Sequence, residues 1–198
     1  MDHTIITFSQ LNDQQVRAVA RLHHEVLHSL LVDLGLPFVE RYYQIAHAEP
    51  GVIGVCALSE TGSPLGWAVG SSKPEQVNGR LREAWLWFIL QMALITFTRP
   101  RVLGQLFSSL RTASAMIPEG AVELTYIGVD PSARGRGLGH ALLNAFTQAA
   151  REAGYRAVVL SVEAENESAI ALYTKAGFQV TASFTEGSYH RHRMELIL

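Results

Sequence analysis

The stretch from Glu123 to Leu143 constrains the fold more than any other part of the chain. Val122 to Val129 alternates and is β-branched, which predicts a strand. Asp130-Pro131-Ser132 signals a turn. Gly135, Gly137 and Gly139 come next, and Ala141, Leu142, Leu143, Ala145 and Phe146 then begin a helical apolar pattern. A strand, a glycine-rich turn and a helix start together have the geometry of a phosphate site. The first N–H groups of a helix lack intrahelical partners, and the helix dipole adds partial positive charge there. Glycines permit unusual dihedrals and close approach of a ligand to the backbone. Arg134 and Arg136 add formal charge beside the loop, and a pyrophosphate is the natural occupant.

The spacing R-x-x-G-x-G, at Arg134, Gly137 and Gly139, excludes two common nucleotide sites. A P-loop requires a Lys after its last glycine, and none is present. The dinucleotide fingerprint G-x-G-x-x-G is also absent, because positions 140 and 142 are His and Leu. A second block lies at 158–178. Val158 to Val162 predicts a strand, Asn166 a helix N-cap and Glu167 a favourable first-turn charge. Ala169, Ile170, Leu172 and Tyr173 form an apolar helix face, and Gly177 stands where the helix would end.

With both blocks in order, the chain resembles the GNAT superfamily of N-acetyltransferases. That family has a strand ending in V-x-P, then [Q/R]-x-x-G-x-[G/A], and later an Asn, a short helix with Leu-Tyr, and Gly-Phe. Val129, Pro131, Arg134, Gly137 and Gly139 match the first signature; Asn166, Leu172, Tyr173, Gly177 and Phe178 match the second. The match covers residues 120 to 198, and the N-terminal half matches as a pattern of elements.

The resemblance implies an α/β fold: a mixed, mostly antiparallel sheet of six or seven strands, flanked by helices on both faces. It implies acetyl-CoA as co-substrate, no metal, and direct transfer of acetyl to a primary amine in a ternary complex. Backbone groups of Ile127 and Val129 would pair with the pantetheine arm. Those of Arg134, Gly135, Arg136, Gly137, Leu138, Gly139 and His140 would hold the pyrophosphate. Asn166 would reach the pantetheine or neighbouring backbone, and as a plain helix cap it could serve both roles. A bulge near Tyr126 to Gly128 would splay the strand from Val158–Val162. Tyr173 occupies the family's acid position and would protonate the leaving sulfur. Glu123 is the candidate base. Strand alternation places it on the face of Thr125, Ile127 and Val129, opposite Leu124 and Tyr126. Some members carry a carboxylate where this chain has Ser161; Glu163 and a water relay are the other candidates. A solvated strand-start carboxylate is the bland reading of Glu123, and a core aromatic that of Tyr173.

Composition describes a soluble globular protein. The 198 residues are 48% hydrophobic with a net charge of −2, so no basic field points to nucleic acid. The lone Cys56 cannot form an internal disulfide, which fits a cytoplasmic protein and a core thiol. The start, M-D-H-T-I-I-T-F, has no signal-peptide pattern.

One domain over 1–198 is expected. Thr4 to Phe8 predicts a strand. A helix runs from Asn12 or Asp13 to Gly35, and another opens at Pro37. Val52–Leu58 and Leu65–Gly70 predict two strands. Residues 73–120 form a helical insertion between the third and fourth strands. Within it, Ala84 to Phe97 is a charge-free run of 14 residues, short of the ~20 that span a bilayer. It suits a buried helix, a lid or a homodimer surface, while Arg80, Arg82, Arg99 and Arg101 keep an interfacial membrane helix open. Val180–Ser183 and Tyr189–Leu198 predict a final hairpin.

Two rival functions stand beside the acetyltransferase. A non-catalytic acyl-CoA-binding or sensor module would keep the glycine block, although intact Tyr173 and Asn166 speak against a degenerate site. His24-Glu25-Val26-Leu27-His28 matches the H-E-x-x-H of zinc hydrolases, with His47 or Glu49 as a third ligand. The amine acceptor, small molecule or peptide, is open: protein N-termini, lysines, polyamines, aminoglycosides and amino sugars all fit. The acyl group is open too, acetyl or longer.

Overall fold

The computed structural model describes residues 3–83, 117–186 and 189–198. The elements in order are β1 (His3–Thr7), a 3₁₀ turn (Phe8–Gln10), α1 (Asp13–Val26), α2 (Leu30–Leu34) and α3 (Leu36–Ala48). Strands β2 (Val52–Ser59) and β3 (Pro64–Ser71), then α4 (Pro74–Glu83), come next. Past the undescribed segment lie β4 (Ala121–Val129), a 3₁₀ turn (Pro131–Ala133), α5 (Leu138–Glu152) and β5 (Ala157–Glu163). The chain ends with α6 (Glu167–Lys175), β6 (Gln179–Glu186) and β7 (Tyr189–Ile197).

The strands form one seven-stranded sheet in the order β1-β2-β3-β4-β5-β7-β6. Among these strands only β4 and β5 are parallel; every other pair is antiparallel. The expected mixed, mostly antiparallel sheet with helices on both faces is therefore present. Alternation along each strand splits the core in two. Cys56, Trp67 and Val69 pack with Val19, Phe38, Val39 and Tyr43 of α1 and α3. Val55, Ala57, Ala68, Val122 and Leu124 pack with Leu142, Leu143 and Phe146 of α5 and with Tyr173 of α6. Cys56 is fully buried and its thiol is pushed up to about 12 by burial, which fits a packing role and not a nucleophile.

The single helix expected up to Gly35 is instead two. The Leu27 and Ser29 backbones are extended, and the Ser29 side chain accepts from the Val32 N–H to cap α2. The break has a buried cause. Trp67 Nε1–H donates to the Tyr43 hydroxyl at 2.6 Å. An indole N–H can only donate, so the Tyr43 proton is free for His23 Nδ1 at 2.8 Å. His23 Nε2–H then donates to Ser29 Oγ at 3.3 Å. Satisfying this fully buried imidazole draws Ser29 inward and ends α1 three residues before it. His28 consequently lies beyond α1 and does not share a helical face with His24, so the H-E-x-x-H geometry is not formed. Glu49 is ion-paired with Arg80 at 2.9 Å, and His47 packs edge-on against Phe8.

Strand β4 also departs from simple alternation. Val69 pairs with Tyr126 but Gly70 with Leu124, leaving Thr125 as the extra residue of a bulge. The approach is close there: a Cβ on Gly70 would sit 2.0 Å from the Glu123 carbonyl oxygen. The bulge inverts the strand's facing. Val122 and Leu124 face α5, whereas Tyr126 faces α1 and α3, and Ile127 and Val129 face α5 again. Glu123 thus shares its face with Tyr126, not with Ile127 and Val129 as alternation implied.

The residues at 84–116, which include most of the apolar insertion, lie outside the described residues. Among the described residues no helix is long and apolar enough to cross a membrane.

His23 makes the fold acid-sensitive. Burial, with the neighbouring His24, lowers its pKa from 6.5 to about 3. The unfolded chain takes up this proton near pH 6.5 and the folded chain only near pH 3. The stabilisation is therefore complete above pH 6.5 and is lost towards pH 3, by about 1.4 kcal/mol per pH unit. Denaturant unfolding of His23→Gln between pH 4 and 6.5 is expected to show a shallower pH slope than wild type, by close to one proton. An unchanged slope would refute the assignment.

Candidate active site

The site is built around the place where β4 and β5 part. They pair at Ala121–Ala157, Val122–Val158 and Glu123–Val159, and the ladder stops there. Further along, among the described residues, β4 stays bonded only to β3. The Asp130 N–H donates to Leu65 O, so by antiparallel alternation residues 126, 128 and 130 point their backbone groups to β3. Ile127 and Val129 point theirs to the β5 side, where the strands have separated. That edge offers the Ile127 N–H and C=O and the Val129 N–H. The Val129 carbonyl accepts from Arg134 Nε at 3.1 Å.

After β4, Asp130 Oδ1 accepts from the backbone N–H and the hydroxyl of Ser132, which tightens the turn. Gly135 and Gly137 have φ of 72° and 79°, the left-handed region that glycine alone enters without strain. A Cβ at either would meet nothing within 4 Å, so conformation and not crowding demands glycine there. Gly137 caps α5 without any side-chain hydrogen bond, leaving the N–H groups of Leu138, Gly139 and His140 uncapped. Arg134 and Arg136 are exposed beside them. An uncapped helix start, open space over two left-handed glycines and two arginines fit a pyrophosphate. Gly139 differs: it is helical, and its Cβ would make ordinary contacts with Leu172 at 3.6 Å and Val129 at 3.8 Å. Those distances also show that α6 packs against the end of β4 and the start of α5.

Tyr173 projects from α6 into the α5-side core, 7% exposed and 5.8 Å from Phe178. Burial pushes its phenol up to about 12, so it holds its proton throughout the neutral range. Asn166 is the α6 cap: its Oδ1 accepts from the Ala169 N–H and the Ser168 hydroxyl, both at 3.1 Å. Neither bond uses Nδ2.

Glu123 lies on the other face of the sheet, its side chain 20% exposed. Its neighbours there include Tyr42, whose pKa is raised well above the usual value by burial, then by Tyr126, with Glu123 adding to the rise. Its Oε1 accepts from Arg193 Nη1 at 2.5 Å, and the same nitrogen donates to Ser161 Oγ at 3.1 Å. Glu163 stands opposite Arg191 in the β5–β7 ladder. The fold thus gathers Ile127, Val129, Arg134 to His140 and Tyr173 on the α5 side, and Glu123, Ser161 and Arg193 on the α1–α3 side. The sheet is open between them. Arg193 is the residue that sequence reading missed. Its only trace was an arginine in a strand, and its partner is set by register across three strands.

The model of the acetyltransferase (GNAT) family matches residues 19–178. The chain belongs to the GNAT acetyltransferase family. Among its relatives, the mycothiol acetyltransferase of Geodermatophilus obscurus is 34% identical over 128 residues, 62% of this chain. The aligned part is 41% of that relative, so this GNAT chain spans about two fifths of its length. A GCN5-related N-acetyltransferase from Kribbella flavida superposes with a TM-score of 0.64 at 17% identity, over 99% of this chain and 98% of that one. An acetyltransferase structure from Salmonella typhimurium that includes its cofactor acetyl-CoA gives 0.57 at 19% identity, covering 100% and 95%. At these identities the two structures establish the fold.

A side chain at Gly137 would strain the loop by about 1–2 kcal/mol and fill the space over the helix start. Thermal-shift titration with acetyl-CoA is expected to stabilise wild type by about 2.7 kcal/mol at 100 times its dissociation constant. Gly137→Glu should abolish that shift and Gly139→Ala should keep it. A retained shift in Gly137→Glu would place the pyrophosphate elsewhere.

Proposed function

We propose that this GNAT chain transfers acetyl from acetyl-CoA directly to a primary amine, both substrates being bound together where β4 and β5 part. The supporting observation is that β4 and β5 part just beyond Glu123, and that the strand freed there leads into the uncapped start of α5. Acetyl-CoA supplies an activated acetyl thioester. The residues do the rest. The α5 start and Arg134 to His140 bind the pyrophosphate, with Arg134 braced on the Val129 carbonyl. The outward backbone of Ile127 and Val129 holds the pantetheine in register, and Asn166 Nδ2 is free of the cap to assist.

Acyl transfer to an amine needs the ammonium deprotonated and the departing sulfur protonated. Glu123 takes the ammonium proton at Oε2, its Oε1 being engaged by Arg193. Tyr173 gives its phenolic proton at the sulfur and regains one from the amine nitrogen as the amide forms, so of the two protons the ammonium loses, one leaves through Glu123 and one ends on the thiol; burial keeps the phenol protonated at neutral pH. Glu163 is the less suited base, because it lies further along β5 opposite Arg191. We assign residues 1–198 to one domain with 73–120 inserted between β3 and β4, and we place the protein in the cytoplasm on its lone buried thiol. The relationship to a mycothiol acetyltransferase supports a small-molecule acceptor.

The test couples a thiol-trapping assay of CoA release to a panel of amines: alanine amide, spermidine, glucosamine and lysine. Glu123→Gln and Tyr173→Phe should each lower kcat by about 10²-fold or more while keeping the acetyl-CoA thermal shift. Wild-type turnover in Glu123→Gln across the pH range would remove Glu123 from the mechanism. Acetyl-CoA binding without turnover on any amine would favour the acyl-CoA-binding module.

A further inference from the structure

Arg193 starts on β7, two strands from β4, yet it touches Glu123. It stands opposite Ser161 in the β5–β7 ladder, and its side chain crosses β5 on the α1–α3 face to reach the carboxylate. At 6% exposure it is among the most buried charges of the described residues. Arginine is almost never buried this far unless paired, and a buried ion pair contributes little net stability compared with apolar packing. The guanidinium is not placed to satisfy its own hydrogen bonds either. Nη2 is buried without a hydrogen-bond partner among the described residues. Such an arrangement calls for a reason other than stability.

The location supplies one. Glu123 is the last β4 residue paired to β5, and its facing is fixed by the bulge at Thr125. Beyond it no backbone ladder holds β4 to β5, so a carboxylate at this point needs a side-chain anchor. The Arg193 bridge, from Glu123 to Ser161, ties β4, β5 and β7 together at the vertex of the opening. One charged nitrogen, Nη1, donates to both Glu123 Oε1 and Ser161 Oγ, so a single cationic donor holds the carboxylate against β5.

We propose that Arg193 is a positioning residue, which holds the Glu123 carboxylate in place and aimed at the mouth of the opening. Oε1 is bound by Nη1. Oε2 receives one proton from the acceptor ammonium, giving a neutral amine and a carboxylic acid, and that proton then passes to bulk water. This inference rests on the reading of Glu123 as base.

The test is a double-mutant cycle of Arg193→Met and Glu123→Gln, with Arg193→Lys, using acetyl-CoA and the fastest of the four amines. Arg193→Met should lower kcat by about tenfold or more, leave the acetyl-CoA KM and thermal shift as in wild type, and have under about a twofold further effect in Glu123→Gln. Arg193→Lys, which keeps the charge, should recover most of the rate. Arg193→Gln replaces Arg193→Met in the cycle should the latter fail to fold. Full turnover in Arg193→Met, additive losses, or no recovery with Lys would overturn the positioning role. Wild-type turnover in Glu123→Gln would instead sink the base assignment, and this proposal with it. An impaired Glu123→Gln beside an unimpaired Arg193→Met would sink the proposal alone.

Discussion

Strands β4 and β5 hydrogen-bond over three residue pairs and then separate, in a sheet whose other neighbours stay paired along most of their length. A buried backbone edge without partners is costly, so an opening of this kind must be prepared on both sides. On the β4 side the bulge at Thr125 redirects the strand, and Gly70 admits the close approach that the bulge requires. On the β5 side Ser161 and Arg193 tie the strand back to Glu123. Past the opening, the chain enters a helix whose first turn is itself uncapped. Unused backbone donors are therefore concentrated along one line, from Ile127 through Val129 to the first turn of α5. A ligand with carbonyl and amide groups leading into a phosphate chain matches that line in polarity and order.

The two faces of the sheet carry unlike groups. Tyr173 belongs to the α5-side core, where burial keeps its phenol protonated. Glu123 belongs to the opposite face, where a guanidinium keeps company with its carboxylate. The two groups of the proposed reaction therefore sit in unlike surroundings. The α1–α3 face of the sheet is tied together by the Trp67–Tyr43–His23–Ser29 chain of hydrogen bonds.

Much of this was legible in the sequence because it rests on local rules. A left-handed turn demands glycine, which made Gly135 and Gly137 readable. A helix start favours Asn, which made Asn166 readable. Periodicity gave the seven strands and most of the helices. The failures share one cause: tertiary context overrode a local pattern. The resemblance implied a bulge near Tyr126 to Gly128; the extra residue is Thr125, just ahead of it, and that position inverts the facing of Glu123 relative to Ile127 and Val129. His23 drew in Ser29 and cut a helix that periodicity carried to Gly35. That cut also dismantled the spacing that made His24 and His28 resemble a zinc pair. Arg193 could be found only once the β5–β7 register set it opposite Ser161.

Hydrogen–deuterium exchange with and without acetyl-CoA tests the central claim most directly. If the opened β4 edge and the α5 start form the binding line, acetyl-CoA will protect the amides of Ile127 and Val129 and of the Arg134–His140 loop. Amides bonded to β3, such as that of Gly128, will change little. Stabilisation by acetyl-CoA without added protection at Ile127, Val129 and the loop would contradict the account.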